Sequence, residues 1–271
     1  VQTCALPISQ GKQLGIVTTA DVFDATPAGN AVHTSNRGAG TGIVDQYLDD
    51  RKLTGLSVLM GGGRKWFLPS TVPGSARSNG NDYQFSATDA HTADIVKRWN
   101  AAPGKLDKDR DLIADFQSAG FKYASDLTSL NAIDTSSTDK LLGLFAYSNM
   151  NVALDKMDGR RNVAKCIKGR VVDDYGFPDQ PMLEEMTTKA LGVLQKNKKG
   201  FVLMVEGASI DKQAHNMDTE RWILDTIEFD RAIQVAKDFA DKDGQTLVIV
   251  TADHECSGVA LIGGSTVTDA R

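Results

Sequence analysis

The stretch FVLMVEGASIDKQAH, residues 201–215, gives the clearest indication of the fold. Its first five residues, Phe201 to Val205, form an apolar run without the alternation of a half-exposed strand, and such runs are typical of parallel strands covered by helices on both faces. Glu206, Asp211 and His215 follow the run. Because ligands bind outside the carboxyl ends of the strands in open parallel sheets, the pattern predicts an α/β sheet with functional side chains after this strand.

Short apolar runs recur along the chain, with amphipathic stretches between them. We predict four further strands, at residues 14–19, 56–60, 141–146 and 246–251. Three helices are predicted: one from the N-cap Thr26 and Pro27 to about Thr34, one from Pro181 to before Gly200, and one capped by Asp218. This alternation predicts an α/β three-layer sandwich, in which helices flank a central, mostly parallel β-sheet. The runs at 201–205 and 246–251 are expected to be central strands.

The length of 271 residues allows one large domain or two small ones, at about 150 residues per domain. We expect a single domain over residues 9–271, because its two irregular stretches, at about 70–109 and 149–180, are neither long nor apolar enough to be separate domains. A short helix is expected at 93–99. The first eight residues, VQTCALPI, match a translated sequencing adapter, and we expect them to be a non-native tail.

Composition excludes several classes of protein. Apolar residues make up 41% and charged residues 24% of the chain, which is typical of a globular protein with a sizeable core. A net charge of −5 argues against general binding to nucleic acid or to a membrane surface. No apolar stretch approaches the roughly 18 residues of a membrane-spanning helix. Cys4, Cys166 and Cys256 lie far apart and match neither a disulfide framework nor a CxxC metal site.

Two predicted strand ends carry residue pairs that suit zinc. Asp211 and His215 can share one face of a helical turn, and carboxylate oxygen and imidazole nitrogen are both zinc ligands. Asp253 and His254 directly follow the run TLVIVTA, where charge is costly unless a partner such as a metal ion satisfies it. Each pair also has a simple structural interpretation, as a charged surface turn or as a turn-capping Asp beside an exposed His. Their occurrence together favours a metal site.

The segment DATPA, residues 24–28, again follows an apolar run, and Arg37 lies shortly after it. An arginine near divalent cations suits phosphate recognition, because its guanidinium offers paired donors to two oxygens. From local sequence alone, Thr26 is equally explained as a helix N-cap and Arg37 as a solvated surface residue.

Together these stretches resemble the alkaline phosphatase family in its bacterial form. The resemblance rests on GKQLGIVTTADVFDATPA, SNR, VLMGGGRKWF, LLGLFA, VEGASIDKQAH and LVIVTADH, which follow the order of the family over about residues 11–258. The combination of VEGASIDK with TADH is highly specific. The resemblance implies hydrolysis of phosphate monoesters with two zinc ions and one magnesium ion, through a phosphoserine intermediate.

The resemblance also implies a role for each candidate residue. Six correspond to metal ligands: Asp211 and His215 for the first zinc ion, Asp253 and His254 for the second, and Glu206 and Thr26 for the magnesium ion. Arg37 corresponds to the arginine that clamps the phosphate. Asp24 and Lys212 correspond to the pair that, in bacterial members, acts through water on the magnesium ion and the phosphate.

Parts of the family's site have no match in the sequence. The nucleophilic serine, in a D-S-A-type motif, and an aspartate that bridges the second zinc and the magnesium belong upstream of the matching stretches, and a histidine ligand of the first zinc belongs beyond Arg271. We therefore expect the 271 residues by themselves to bind zinc weakly and to have no useful phosphatase activity. Two alternatives stay open: another metallohydrolase of the superfamily, such as a phosphodiesterase or sulfatase, and a non-catalytic protein that binds metal or phosphate.

Cys256, in DHEC, stands where many family members have a histidine. A packing role beside the site is expected for it, and zinc binding by its soft thiol is the alternative. For the whole protein the resemblance implies a location in the periplasm or outside the cell, and it allows a homodimer. Phosphate monoesters are the expected substrates, with neither nucleic acid nor a membrane as a specific partner.

Overall fold

The computed structural model describes residues 10–34, 36–82, 106–160, 179–256 and 258. Within these ranges one sheet of five strands forms, in the order β3-β4-β2-β1-β5, and every strand pair is parallel. The strands are β1 (Gln13–Asp21), β2 (Leu56–Gly62), β3 (Lys122–Ala124), β4 (Leu141–Leu144) and β5 (Phe201–Glu206). The predicted parallel α/β sheet is therefore confirmed.

Helices connect the strands and cover both faces of the sheet. They are α1 (Ala25–Ala28), α2 (Gly40–Asp49), α3 (Arg51–Thr54), α4 (Leu112–Ser118), α5 (Leu127–Ala132), α6 (Ala153–Arg160), α7 (Leu183–Leu194), α8 (Ser209–His215) and α9 (Thr219–Asp243). Arg64–Trp66 and Asn79–Asn81 form single 3₁₀ turns. Among the described helices, none has both the length and the apolar character that crossing a bilayer requires.

Two hydrophobic cores lie on opposite faces of the central strands. Ile16 of β1 packs in one core with Tyr47 of α2, and the next residue, Val17, packs in the other core with Met186 of α7. All four side chains are fully buried. Because successive residues of a strand point to opposite faces, this arrangement explains why β1 lacks polar alternation.

The first predicted helix is shorter than expected, and its cap was assigned to the wrong residue. Asp24, and not Thr26, is the N-cap of α1, and its carboxylate accepts a hydrogen bond from the Ala25 N–H at 2.9 Å. The helix ends at Ala28 because the side-chain amide of Asn30 takes the carbonyl of Thr26, which a continuing helix would give to a backbone N–H. The other two predicted helices are confirmed as α7 and α9, and Asp218 caps α9 as expected.

The run at 201–205 is a strand, but the prediction that it and the run at 246–251 are central strands is wrong. Residues 246–251 are not in a strand, and Leu247 and Ile249 are 81% and 77% exposed. A cavity of about 1060 Å³ lies between this segment and β5 with α9. The segment does not pair with any described strand. As a result, β5 is an edge strand of the described sheet, and all its residues are half-buried.

Some elements form where the sequence patterns predict neither a strand nor a helix. The short strand β3 pairs with β4 at the other edge of the sheet, and α6 lies in the irregular stretch at about 149–180. In α6 the fully buried Lys156 binds Glu228 of α9, which explains how a polar sequence packs inside the fold. The predicted helix at 93–99 and the suspected tail at 1–8 lie outside the described residues.

Candidate active site

The carboxyl ends of the neighbouring strands β1 and β5 position the first candidate residues. Thr18 of β1 stands beside Glu206 of β5 in the parallel register, and its hydroxyl donates to Glu206 Oε2 at 2.6 Å. The hydroxyl of Thr26 in α1 also hydrogen-bonds to Glu206. Burial raises the pKa of Glu206, and the two threonine hydroxyls oppose this shift. The two residues implied as magnesium ligands, Thr26 and Glu206, are therefore in direct contact.

Asp24 joins the two candidate phosphate-binding cations. Its Oδ1 accepts from Arg37 Nη2 at 2.9 Å, and its Oδ2 accepts from Lys212 Nζ at 2.9 Å. Burial raises the pKa of Asp24, but the hydrogen bond and charge of Lys212, aided by Arg37, outweigh burial and hold the pKa below its usual value. The side chain of Arg37 is 76% exposed, so its guanidinium faces solvent while one of its nitrogens is fixed.

Helix α8 follows β5 and carries two candidate zinc ligands, Asp211 and His215. His215 Nε2 lies 3.3 Å from Asp211 Oδ1, one helical turn away, and His254 Nε2 approaches the same oxygen to 3.6 Å. This oxygen is buried, and no described residue donates a hydrogen bond to it. A buried carboxylate oxygen without a donor, beside two imidazole nitrogens, is an arrangement that a divalent cation would satisfy. The two predicted zinc-binding pairs therefore meet at Asp211, through His215 of the first pair and His254 of the second.

Asp253 is less closely integrated than the other candidates. Its side chain is 82% exposed, and its Oδ1 accepts from the backbone N–H of His254 at 3.1 Å. Its Oδ2 lies 3.6 Å from His254 Nε2. Asp253 therefore binds the backbone of the following residue and lies near the imidazole of that residue.

Cys256 lies against the same group. Ligand atoms of Asp211, His254 and Cys256 lie within 4.8 Å of one another. Cys256 is only 8% exposed, and its Sγ lies 3.8 Å from the backbone carbonyl of Asp211. Its backbone N–H donates to His254 Nδ1 at 3.1 Å, which leaves Nε2 of that ring facing Asp211.

Three other carboxylates converge away from this site, those of Asp45, Asp82 and Asp107. The fully buried guanidinium of Arg77 lies among them, bidentate to Asp45 at 2.8 and 2.9 Å and bonded to Asp107 at 2.9 Å. Because Arg77 already binds two of these carboxylates and Arg110 lies 3.5 Å from Asp45, we interpret the group as structural.

Two threonines of β1, which are not among the predicted site residues, also shape this site. Thr18 contacts Glu206, and the hydroxyl of the next residue, Thr19, accepts from the backbone N–H of Ser209 at 3.2 Å. These two bonds fix the end of β5 and the start of α8 to β1. The available signal was two successive hydroxyl residues at the end of an otherwise apolar strand.

The chain is similar in sequence to known alkaline phosphatases. A family model described as alkaline phosphatase matches residues 4–270. Alkaline phosphatase 4 of Bacillus subtilis (strain 168) is 32% identical over 255 residues, which cover 93% of this chain and 42% of that protein. The alkaline phosphatase of Escherichia coli (strain K12) is 33% identical over 266 residues, covering 90% of this chain and 49% of that protein. The chain thus spans less than half the length of these relatives.

Solved structures show the same relationship at the level of the fold. The alkaline phosphatase of Thermus thermophilus superposes with a TM-score of 0.63 at 25% identity, covering 88% of this chain and 38% of that one. A cold-active alkaline phosphatase of a psychrophilic Shewanella species superposes with a TM-score of 0.58 at 24% identity, covering 88% and 42%. The parallel sheet with flanking helices is therefore shared with these enzymes.

Proposed function

The chain belongs to the alkaline phosphatase family, and on that premise we propose that the whole protein hydrolyses phosphate monoesters. One observation carries the proposal to this chain's own residues. Asp211 Oδ1 is buried, accepts no hydrogen bond from the described residues and lies beside two imidazoles. The next residue in the sequence, Lys212, forms an ion pair with Asp24, and Asp24 also binds Arg37. A metal-binding group and a phosphate-binding group thus meet on α8.

We infer that the metals are two zinc ions and one magnesium ion. Six residues are proposed to hold them: Asp211 and His215 for the first zinc, Asp253 and His254 for the second, and Glu206 with Thr26 for the magnesium. The oxygen-only pair suits magnesium, and the mixed carboxylate and imidazole groups suit zinc. Bound divalent cations would stabilise the charge of a phosphoryl group and lower the pKa of an attacking hydroxyl.

The phosphate itself is proposed to bind to Arg37 and Lys212. Arg37 offers a planar set of N–H donors to two phosphate oxygens, whereas Lys212 acts as a point charge. Asp24 is a positioning residue, because it fixes one nitrogen of each cation at 2.9 Å and caps α1. Two cations suit a monoester dianion better than a diester, which carries one negative charge.

The reaction is proposed to pass through a phosphoserine on the whole protein. The family resemblance places the nucleophilic serine in a D-S-A-type motif upstream of the matching stretches, and the 271 residues contain no such motif. We therefore propose that these residues alone do not turn substrate over. We also propose that they bind zinc weakly, because the resemblance implies an aspartate and a histidine ligand that have no match among them. A periplasmic or extracellular location and a homodimer are proposed for the whole protein on the same resemblance.

A comparison of ester substrates tests the proposed activity. The reading frame extended upstream and downstream is assayed with zinc and magnesium on p-nitrophenyl phosphate, bis-p-nitrophenyl phosphate and p-nitrophenyl sulfate. We expect the monoester to be hydrolysed with the highest kcat/KM, and the 271-residue chain to be inactive in parallel. Preference for the diester or the sulfate would indicate the related hydrolases. A residue other than serine at the expected position, with metal binding retained, would indicate a non-catalytic binder.

A further inference from the structure

We propose that Thr18 is a positioning residue for the proposed magnesium site, where its hydroxyl fixes the direction of the Glu206 carboxylate. This inference rests on the proposed function, which gives Glu206 and Thr26 to the magnesium ion. It goes beyond that function, since Thr18 is not among the proposed ligands and acts only through Glu206.

Hydrogen bonds on both sides set the direction of the Thr18 hydroxyl. Its oxygen accepts the backbone N–H of Ala20 at 2.9 Å, and the hydroxyl donates to Glu206 Oε2 at 2.6 Å. Because a hydroxyl carries one hydrogen and the Ala20 amide can only donate, that hydrogen lies towards Glu206. Thr18 is fully buried, so water does not compete for this bond. Glu206 therefore receives a hydrogen bond from one fixed direction.

The sheet also fixes where this donor stands. Thr18 and Glu206 are partners in the parallel register of β1 with β5, and the β-branched side chain of threonine has few accessible χ1 rotamers. Glutamate has a longer and more flexible side chain. Glu206 is the last residue of β5, an edge strand of the described sheet, and it is only half-buried. Packing alone therefore leaves its carboxylate free to rotate, and the bond to Thr18 restricts that rotation.

The same bond leaves Glu206 able to bind a cation. An ionised carboxylate has about four lone-pair sites, and Thr18 uses one of them. Magnesium demands near-ideal octahedral geometry, so a rotated carboxylate binds it less well. Groups that hold a metal-binding side chain in place typically contribute about tenfold to a hundredfold to metal affinity. We therefore expect Thr18 to control the affinity of the site for magnesium without binding the ion.

Manganese(II) in place of magnesium tests the proposal by spectroscopy, because its electron paramagnetic resonance signal distinguishes free from bound ions. The whole protein, from the extended reading frame, is loaded with zinc and then titrated with manganese. We expect Thr18→Val to weaken manganese binding by roughly tenfold to a hundredfold, and Thr18→Ser, which keeps the hydroxyl, to restore most of the affinity. Glu206→Gln should weaken binding at least as much as Thr18→Val does, which would locate the manganese at this site.

Thr41→Val is the matched control, because Thr41 is also fully buried and its oxygen also accepts a backbone N–H, that of Ser78 at 3.1 Å. It should leave manganese affinity unchanged, and far-ultraviolet circular dichroism should be the same in all variants. An equal loss in Thr41→Val, unchanged affinity in Thr18→Val or no recovery in Thr18→Ser would overturn the role of the Thr18 hydroxyl and leave the magnesium site standing.

The parent protein separates failure of this inference from failure of the proposed function. If manganese does not bind to it, or binds equally to Glu206→Gln, the proposed magnesium site is overturned together with the role of Thr18. Hydrolysis of the monoester by the same preparation would then still support the proposed activity, because that assay does not depend on where manganese binds.

Discussion

Asp24 and Lys212 are 188 residues apart in the sequence and form an ion pair of 2.9 Å. Asp24 precedes the first helix after β1, and Lys212 lies on the helix that follows β5, so the pair exists only because β1 and β5 are neighbours. Since the second oxygen of Asp24 holds Arg37, one carboxylate sets the spacing of both proposed phosphate-binding cations.

Lys212→Met should weaken the binding of inorganic phosphate to the chain loaded with zinc and magnesium by about tenfold, because one charge-assisted contact is lost. Isothermal titration calorimetry measures this affinity. Lys196→Met is a matched control, since both lysine side chains are 29% exposed and each pairs with one aspartate. Equal phosphate affinities in the two variants would contradict the role of Lys212.

Asp211→Asn should lower zinc affinity at least tenfold more than Asp253→Asn does. The side chain of Asp211 is 40% exposed and its Oδ1 is buried beside two imidazoles, whereas the side chain of Asp253 is 82% exposed. Competition with a chromophoric chelator measures the zinc affinity of each variant and of the parent chain. The protein from which excess chelator has removed the zinc is the metal-free reference. Equal losses would show that Asp253 moves into the site when metal binds.

Arg77→Met should lower the free energy of unfolding by about 3–5 kcal/mol, because it leaves the carboxylate of Asp45 buried without its bidentate partner. Urea denaturation provides the measurement. Lys108→Met serves as the control in the same region, since its ion pair with Asp109 is exposed and should be worth less than about 1 kcal/mol. A similar small effect for both variants would mean that Arg77 is not the centre of this cluster.

Asp225→Asn should make the fold more stable near pH 8 and less sensitive to pH. Burial, with the nearby charge of Glu228, raises the pKa of Asp225 to about 7, so the folded state holds a proton that the unfolded state releases near pH 4. The stability of the parent chain therefore falls as pH rises from about 4 to about 7.

The asparagine can keep the hydrogen bond from the Ala153 N–H to Oδ1 and removes the charge from the buried Oδ2, which no described residue satisfies. We expect a gain of about 1–3 kcal/mol near pH 8 and none near pH 4, from denaturation at several pH values. Asp230→Asn, exposed on the same helix, should change neither value. A parallel shift of the variant at all pH values would rule out titration of Asp225.

Leu247→Ala should change the free energy of unfolding by less than about 0.5 kcal/mol, because its side chain is 81% exposed. The matched substitution Leu14→Ala, in the fully buried part of β1, should cost about 2–5 kcal/mol. Urea denaturation of the two variants tests whether residues 246–251 stay outside the sheet. A large loss for Leu247→Ala would indicate a buried strand there.

The elements that are predictable from the amino-acid sequence are those whose signals are local. The apolar runs of β1, β2, β4 and β5, the amphipathic faces of α7 and α9 and the Asp218 cap were all predictable, since each depends on residues close together in the chain. The position of the site at the carboxyl ends of strands followed from the same patterns. The family followed from VEGASIDK and TADH.

Which of these elements are neighbours depends on how distant segments of the chain pack together. The register of β1 with β5 brings Thr18 to Glu206 and Lys212 to Asp24, and no local pattern specifies that pairing. The run at 246–251 contains four consecutive apolar residues but lies outside the described sheet, because a strand forms only where a partner strand is within hydrogen-bonding reach. Periodicity reports how much of a segment can be buried, whereas the packing of distant segments decides what it is buried against.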